Sequence, residues 1–346
     1  TDIVLETGSE QTVLVRATGS VGTIAIPGAG QEAQIHASGI ALLVDAHTPD
    51  SAQLGSLFGR DDIPALGPVQ VSATLSQNGQ LFQLLDIKGI VGTDELKLET
   101  SGQIGDLAAV RKVSLHTKVQ GTELSKLLGD FMPEFDYQEQ LGSLAGAFTL
   151  ADKGDEWQLT GLKLAAGNES TPLQLSLKGE ISDLGGLPKA NLLGQADFRD
   201  TALLQALTGL PLSPIEAKLQ LSTSPYGVHG VINTEIGQTL LNLNTVVAFQ
   251  GDSINSLQLI LDTPHLYLQN LFNVQHSLVP VQPPAGQAPP KGPLEQLRES
   301  PPGFPIDVAV RIGGISGDNS HIDSLAVRVT GIDHRYTLEN FSAVYG

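Results

Sequence analysis

The sequence contains no cysteine among its 346 residues. Disulfides, thiol nucleophiles and thiolate metal sites are therefore excluded. Aromatic residues account for only 5% of the chain, so its interior must be mainly aliphatic. No secretory signal is present, and no apolar run reaches the roughly 18 residues that a membrane-spanning helix needs.

Positive charge is also scarce. The chain has 19 Lys and Arg against 37 Asp and Glu, which gives a formal net charge of −18. The basic residues are scattered along the sequence and form no cluster. Because such a field repels DNA and anionic bilayer surfaces, we expect no nucleic-acid partner.

Turn-forming residues, by contrast, are abundant. The chain has 38 Gly and 20 Pro, while hydrophobic residues make up 40%. Few charges and many turn-formers are typical of an all-β protein, and the apolar fraction is too high for general disorder. The length allows either several domains or one repeat array.

One phrase occurs twice in the sequence. LKLETSGQIGDL (96–107) and LQLSLKGEISDL (173–184) are 77 residues apart and share six of twelve positions. Alternating runs that read as β-hairpins lie between such phrases, with turns at Asn78-Gly79, Lys153-Gly154, Pro225-Tyr226-Gly227 and Gly317-Asp318. Short helical signals also recur, each with a Leu pair at i, i+3 that we expect to dock on another part of the chain, namely Leu54/Leu57, Leu124/Leu127, Leu204/Leu207 and Leu268/Leu271.

We therefore predict one elongated repeat array over 1–346 that is a fragment of a longer protein. The approximate repeats are 1–65, 66–140, 141–211, 212–302 and 303–346. A Pro-rich insert over 279–305 holds nine of the 20 prolines, which favours a solvated loop. The alternative for this insert is a lid or a docking site for a partner protein.

Strand alternation indicates a sheet with one wet and one apolar face. Leu173, Leu175 and Leu177 alternate with Gln174, Ser176 and Lys178. The apolar face is either covered by a second sheet, as in a dry sandwich, or curled into an open groove. Smooth aliphatic walls suit acyl chains, although they also suit a dry core. The predicted groove residues are Val71, Leu75, Leu96, Leu98, Phe148, Leu150, Leu173, Leu175, Leu177, Leu219, Leu221, Leu241, Leu243, Val310 and Ile312.

No motif for catalysis or cofactor binding stands out. GAGQEA (28–33) matches a dinucleotide fingerprint, but the residues after it alternate as a strand, which favours a loop. His321 lies near Asp318 and Asp323, and polar residues at a hairpin turn explain this group better than a metal site does. We expect a non-enzymatic protein that needs no cofactor and no metal.

Two segments resemble the repeat of the AsmA-like proteins of Gram-negative bacteria. They are LETSGQIGDLAAVRKVSLHTKVQGTELSKLLGDFMPEF (98–135) and LSLKGEISDLGGLPKANLLGQADFRDTALLQALTGLPL (175–212). The resemblance covers about 50–272, and the Pro-rich insert departs from it. It implies a periplasmic protein, anchored in the inner membrane by a segment outside this sequence, whose curled sheet carries phospholipid between the inner and outer membranes.

The combined prediction is an all-β chain with short helices, in which an elongated antiparallel sheet curls into an apolar groove shaped like a half-barrel. Its partners would be phospholipid acyl chains, and an envelope protein could dock at the Pro-rich insert. The competing hypothesis is a structural or adhesin-like repeat protein with a dry core and a partner-binding Pro-rich loop.

Overall fold

The computed structural model describes residues 2–9, 12–25, 36–53, 65–125, 140–154, 156–184, 189–208, 210–250, 253–271, 303–317, 321–332 and 335–345. The chain divides into two compact units. Unit 1 comprises Thr1–Phe131, Gln140–Ala166 and Gly179–Gly186. Unit 2 comprises Met132–Glu139, Gly167–Lys178 and Leu187–Gly346. The predicted insert lies outside the described residues except for 303–305, and the GAGQEA loop lies wholly outside them.

The prediction of an all-β chain with short helices is confirmed. Eighteen of the described strands belong to one open sheet, which is antiparallel apart from the β15–β17 pair. The first ten strands are β1 (Asp2–Gly8), β2 (Leu14–Ala25), β3 (His36–Thr48), β4 (Val69–Asn78), β5 (Leu81–Gly92), β6 (Leu96–Asp106), β7 (Arg111–Gly121), β8 (Leu144–Lys153), β9 (Glu156–Gly167) and β10 (Leu173–Ser182).

The remaining strands lie in unit 2. They are β11 (Lys189–Phe198), β12 (Ile215–Ser224), β13 (Gly227–Ile236), β14 (Thr239–Gln250), β15 (Ser253–Thr263), β16 (Leu266–Tyr267), β17 (Ile306–Ile312), β18 (Ile315–Ser316), β19 (His321–Ile322), β20 (Ser324–Ile332) and β21 (Arg335–Val344). The short strands β16, β18 and β19 form a separate three-stranded sheet.

Three of the predicted hairpin turns connect antiparallel neighbours. The turns at Gly79, Gly154 and 225–226 join β4 to β5, β8 to β9 and β12 to β13. The fourth predicted hairpin is more elaborate, because β17 pairs with β20 while β18 and β19 form a small hairpin between them. Gly and small polar residues allow these tight reversals.

The repeated phrase folds the same way in both copies. The first copy contains β6 and the second contains β10, and Gly102 and Gly179 both have φ of 152°. At the last residue of each copy, a leucine amide bonds to the carbonyl of an aromatic residue, with Leu107 N 2.8 Å from Phe82 O and Leu184 N 3.0 Å from Trp157 O. The similar geometry follows from the shared Gly and Asp-Leu positions, and the repeat boundaries themselves stay predictions.

Two short helices are described in full, α1 (Thr201–Thr208) and α2 (Leu268–Leu271). In α1 the predicted docking pair is only half right: Leu204 is buried, whereas Leu207 is 43% exposed and Leu203 is buried in its place. Only the first turn of α1 therefore packs tightly. In α2, Leu268 is also exposed. The predicted helical residues Leu54, Leu57 and Leu127 lie outside the described residues.

The most deeply buried side chains of each unit lie at one end of the strands, which we call the rim. They are Thr48 and Leu141 in unit 1, and Leu203 and Thr239 in unit 2. Acidic side chains cap the chain there, because Asp50, Glu123 and Asp200 each accept a hydrogen bond from the amide two residues later. The rim is thus the dry, tightly hydrogen-bonded part of each unit.

Candidate functional site: the apolar face of each unit

In unit 1, strand register places six predicted groove residues on one face. Paired residues in neighbouring strands point to the same side of a sheet. Val71 is connected to Phe148 by the directly paired residues Gly89, Thr100 and Thr117. The unit 1 apolar face consists of Val71, Leu75, Leu96, Leu98, Phe148 and Leu150, together with Thr100 and Thr117.

In unit 2, register forms a single row across eight strands. The row runs Gly194, Leu219, Ile232, Leu243, Leu261, Val310, Val327 and Phe341. With neighbouring strands about 4.8 Å apart, such a row extends roughly 34 Å. The unit 2 apolar face consists of this row with Leu221, Leu241 and Ile312. Each of these three lies two residues from a member of the row along its strand and so points to the same side.

Strand β10 contributes the remaining predicted residues. Leu177 Cδ1 lies 3.7 Å from the position that a Cβ on Gly194 would occupy, and Leu219 lies on the other side of that glycine. Leu177 therefore belongs to the unit 2 apolar face, and alternation along β10 places Leu175 and Leu173 on the same side. The small Gly194 leaves a shallow gap between the two leucines.

Burial distinguishes these faces from a sealed core. Of the fifteen predicted groove residues, only Leu173 is buried, at 3% exposure, and the other fourteen are half-buried. At the rim, Leu141 and Leu203 are 0% exposed. Inward-facing side chains of two interdigitated sheets would be buried like those at the rim. On the unit 1 apolar face, Val69, Ala73, Val113 and Thr117 are also buried, at 3% to 7% exposure, so burial along that face is uneven. Within the described residues of unit 2, no second layer seals the apolar face.

The opposite face of each strand is wet and charged. In unit 2, Arg328 Nη2 lies 3.0 Å from Asp307 Oδ2, and Arg328 Nε lies 3.5 Å from Glu339 Oε2. The hydrogen bond from Arg328 lowers the pKa of Asp307, and Asp307 in turn raises the pKa of Arg328. These exposed ion pairs keep the polar face solvated and contribute little to stability.

The described depressions also lie mainly along polar faces. In unit 1 one is lined by residues that include Arg16, Asp45 and Lys88, and in unit 2 another is lined by residues that include Glu216 and Asp262. They are open and shallow. None of these depressions marks a groove along the half-buried apolar faces, and the predicted curl into a groove stays a prediction.

Several members of the apolar faces were missed at the sequence level. Leu261, Val327 and Phe341 complete the long row of unit 2, and period-two alternation in their strands would have identified them. Thr100 and Thr117 were not predicted as a pair, because only strand register shows that they face each other.

The suggested metal-binding residues belong to a small hairpin. His321 pairs with Ser316 across β18 and β19, and its Nε2 lies 3.0 Å from Asp323 Oδ1. Asp318 lies outside the described residues. In the part of the chain that the structure describes, no group of three or more His, Asp or Glu side chains is arranged to hold a metal ion, and no helix is long and apolar enough to cross a membrane.

Comparison with known proteins gave no relatives. No family model, no curated protein and no solved structure matches the chain.

Proposed function

We propose that this chain is the acyl-chain-binding part of an AsmA-like envelope protein that supports phospholipid transport between the inner and outer membranes. The sequence resemblance supplies the family, the periplasmic location and the inner-membrane anchor outside this sequence. The observation that carries the binding role is that fourteen of the fifteen predicted groove residues on these two faces are only half-buried.

The energetics favour a lipid ligand over water on these faces. Removing one methylene from water is worth about 0.8 kcal/mol, so a 16-carbon tail represents roughly 13 kcal/mol of hydration. A row of Leu, Ile and Val side chains shields such a tail along its length. The role is non-catalytic, since contact with aliphatic side chains lowers the cost of carrying a tail through water without any bond being made.

Lipid extraction and native mass spectrometry of the gently purified chain test the proposal. We expect co-purifying phospholipid, and we expect the chain to take up a fluorescent phospholipid from vesicles. A chain that carries no lipid and extracts none from vesicles would contradict the binding role and favour the structural or adhesin-like alternative.

Matched variants show whether the apolar face is the binding surface. Leu175→Asp places a charge on the face and should abolish uptake, with a modest loss of stability because Leu175 is half-buried. Ser176→Asp introduces the same charge on the opposite, exposed side of β10 and should leave uptake unchanged. Leu203→Asp buries an unpaired charge at the rim and should destabilise the fold by ~3 kcal/mol or more.

The stability of these variants separates an open face from a dry core. If Leu175→Asp unfolds the chain as severely as Leu203→Asp in thermal melts, the face is sealed and the binding role fails. If both β10 variants lose uptake equally, the charge acts non-specifically and the apolar face is not the site.

A further inference from the structure

A chain of polar side chains links the three short strands at the rim of unit 2. His265 Nε2 lies 2.7 Å from Ser316 Oγ, and the same oxygen lies 3.4 Å from His321 Nδ1. The other nitrogen of His321, Nε2, lies 3.0 Å from Asp323 Oδ1. We refer to His265, Ser316, His321 and Asp323 as the relay.

The position of His265 requires that residue 314 be a glycine. A Cβ on Gly314 would lie 2.5 Å from His265 Nδ1, so only glycine leaves space for this imidazole. The His265 ring also packs 4.3 Å from the Tyr267 ring and stacks 6.1 Å from the His321 ring, measured between centroids. The two imidazoles are therefore held close together around one hydroxyl.

Hydrogen-bond directions in the relay follow from Asp323. Its carboxylate accepts from His321 Nε2–H, which leaves Nδ1 of the neutral ring to accept the Ser316 proton. Ser316 Oγ then accepts from His265 Nε2–H. One added proton on His321 reverses the chain, because Nδ1–H donates to Ser316 and the hydroxyl donates to a neutral His265. The three contacts of the relay are kept in both states.

A second proton cannot be accommodated in the same way. With both rings charged, both nitrogens donate to Ser316 Oγ, and the hydroxyl proton loses its acceptor within the relay. Two positive charges then stand 6.1 Å apart between ring centroids, and among the described residues Asp323 is the carboxylate that contacts the pair. Doubly protonated histidines therefore oppose closure of the small sheet.

Neighbouring charges in the described part of the chain do not offset the second proton. Asp262 and Arg311, at the adjacent ends of β15 and β17, lie 3.6 Å apart and compensate each other. The neighbouring elements α2 and β14 carry no ionisable side chain.

We infer that the relay is an acid-sensitive latch. It is closed when both histidines are neutral or when one of them is protonated, and it opens when both are protonated. Opening separates β16 from β18 and β18 from β19 at the rim of unit 2. Unperturbed histidine changes charge between about pH 5 and 8, so the test compares pH 7.5 with pH 5.

Hydrogen exchange of one backbone amide tests the latch in the whole chain. Leu266 N donates to Gly314 O at 2.7 Å, next to the pairing of β16 with β18, so this amide reports closure. After correction for intrinsic exchange, we expect its protection to fall about tenfold from pH 7.5 to 5. The Phe249 amide, bonded to Tyr226 O in the same unit, serves as the reference and should stay constant.

Variants distinguish the latch from a general loosening of unit 2 at low pH. His265→Gln keeps a polar group near the Nε2 position without a titrating ring, and it should reduce the change to less than about twofold. His321→Asn, at an exposed position, should do the same. His229→Gln, on the exposed side of β13, should leave the wild-type response intact.

Three results would overturn the inference. The first is equal protection of the Leu266 amide at both pH values. The second is a full response in both His265→Gln and His321→Asn, and the third is an equal loss of protection at Phe249. Lipid uptake is not measured in this experiment, so the latch and the proposed binding role can fail independently.

Discussion

Thr100 and Thr117 face each other across β6 and β7, and their hydroxyl oxygens lie 3.0 Å apart. Both belong to the unit 1 apolar face, and Thr117 is 7% exposed. Each hydroxyl is the other's partner on this face. The two hydroxyls are therefore tolerated among aliphatic side chains because they hydrogen-bond to each other.

Replacing one member of this pair should cost more than replacing both. Thr117→Val leaves the Thr100 hydroxyl without its partner, and we expect a loss of about 1 kcal/mol in the free energy of unfolding. The double variant Thr100→Val/Thr117→Val should be nearly neutral. Urea unfolding of the four chains in a double-mutant cycle measures the coupling, and additive losses would contradict the interpretation.

We expect Glu123 to stabilise the fold by accepting hydrogen bonds at the rim. Its Oε1 accepts from Leu141 N at 2.8 Å and from Gly142 N at 3.2 Å, next to the fully buried Leu141 side chain. Glu123→Ala leaves these amides unsatisfied and should cost about 1–3 kcal/mol in thermal or chemical unfolding. Glu123→Gln keeps a carbonyl acceptor and should cost less. Equal losses in the two variants would show that charge, and not the acceptor oxygen, is what stabilises the rim.

The ion pair between Asp307 and Arg328 should give unit 2 a weak acid dependence. Its hydrogen bonds with Arg328 lower the pKa of Asp307. A depressed carboxyl pKa stabilises the fold above the unfolded value of about 4, and this contribution is lost as pH falls through the folded value. Because the pair is exposed, we expect it to contribute less than about 1 kcal/mol.

Urea midpoints measured between pH 7 and 2.5 check this dependence. Asp307→Asn should flatten the fall in stability below about pH 4. Arg328→Gln should have the same effect, and the double variant should lose no more than either single variant. Wild-type acid dependence in Asp307→Asn would assign the fall to other carboxylates.

Gly102 should be irreplaceable in β6. Its φ is 152°, and an added Cβ would lie 1.9 Å from Ser114 O of the neighbouring strand. Gly102→Ala should therefore destabilise unit 1 by more than about 2 kcal/mol. Gly154→Ala is the matched control, since its φ is 68° and nothing lies within 4 Å of the added carbon. It should cost about 1 kcal/mol from backbone strain alone, and equal melting temperatures of the two variants would contradict the steric argument.

Sequence patterns were sufficient for the local structure. The alternation of Leu219 and Leu221 with polar residues predicted both the strand and the side to which each residue points, because side chains alternate strictly along a strand. Turn chemistry predicted the hairpins at Gly79 and Gly154 for the same local reason. The third predicted hairpin, at 225–226, followed equally from adjacent residues.

Contacts between distant residues were predicted less well. Leu204 and Leu207 were expected to be buried together against another part of the chain. Leu207 is exposed, and Leu203 is buried instead. Periodicity in the sequence identifies which side of a helix is apolar. How much of that side is buried depends on where the ends of the neighbouring strands lie. The approach of His265 to Ser316 likewise has no local sequence signal, because 51 residues separate them.

The sequence alone determined that the chain is all-β, which positions turn, and which side chains share a face, since each follows from backbone preferences and from the two-residue period of a strand. Tertiary structure decided how far those faces are exposed and which polar groups meet. Both depend on strand register and on the packing at the rim, where residues far apart in the chain supply each other's contacts.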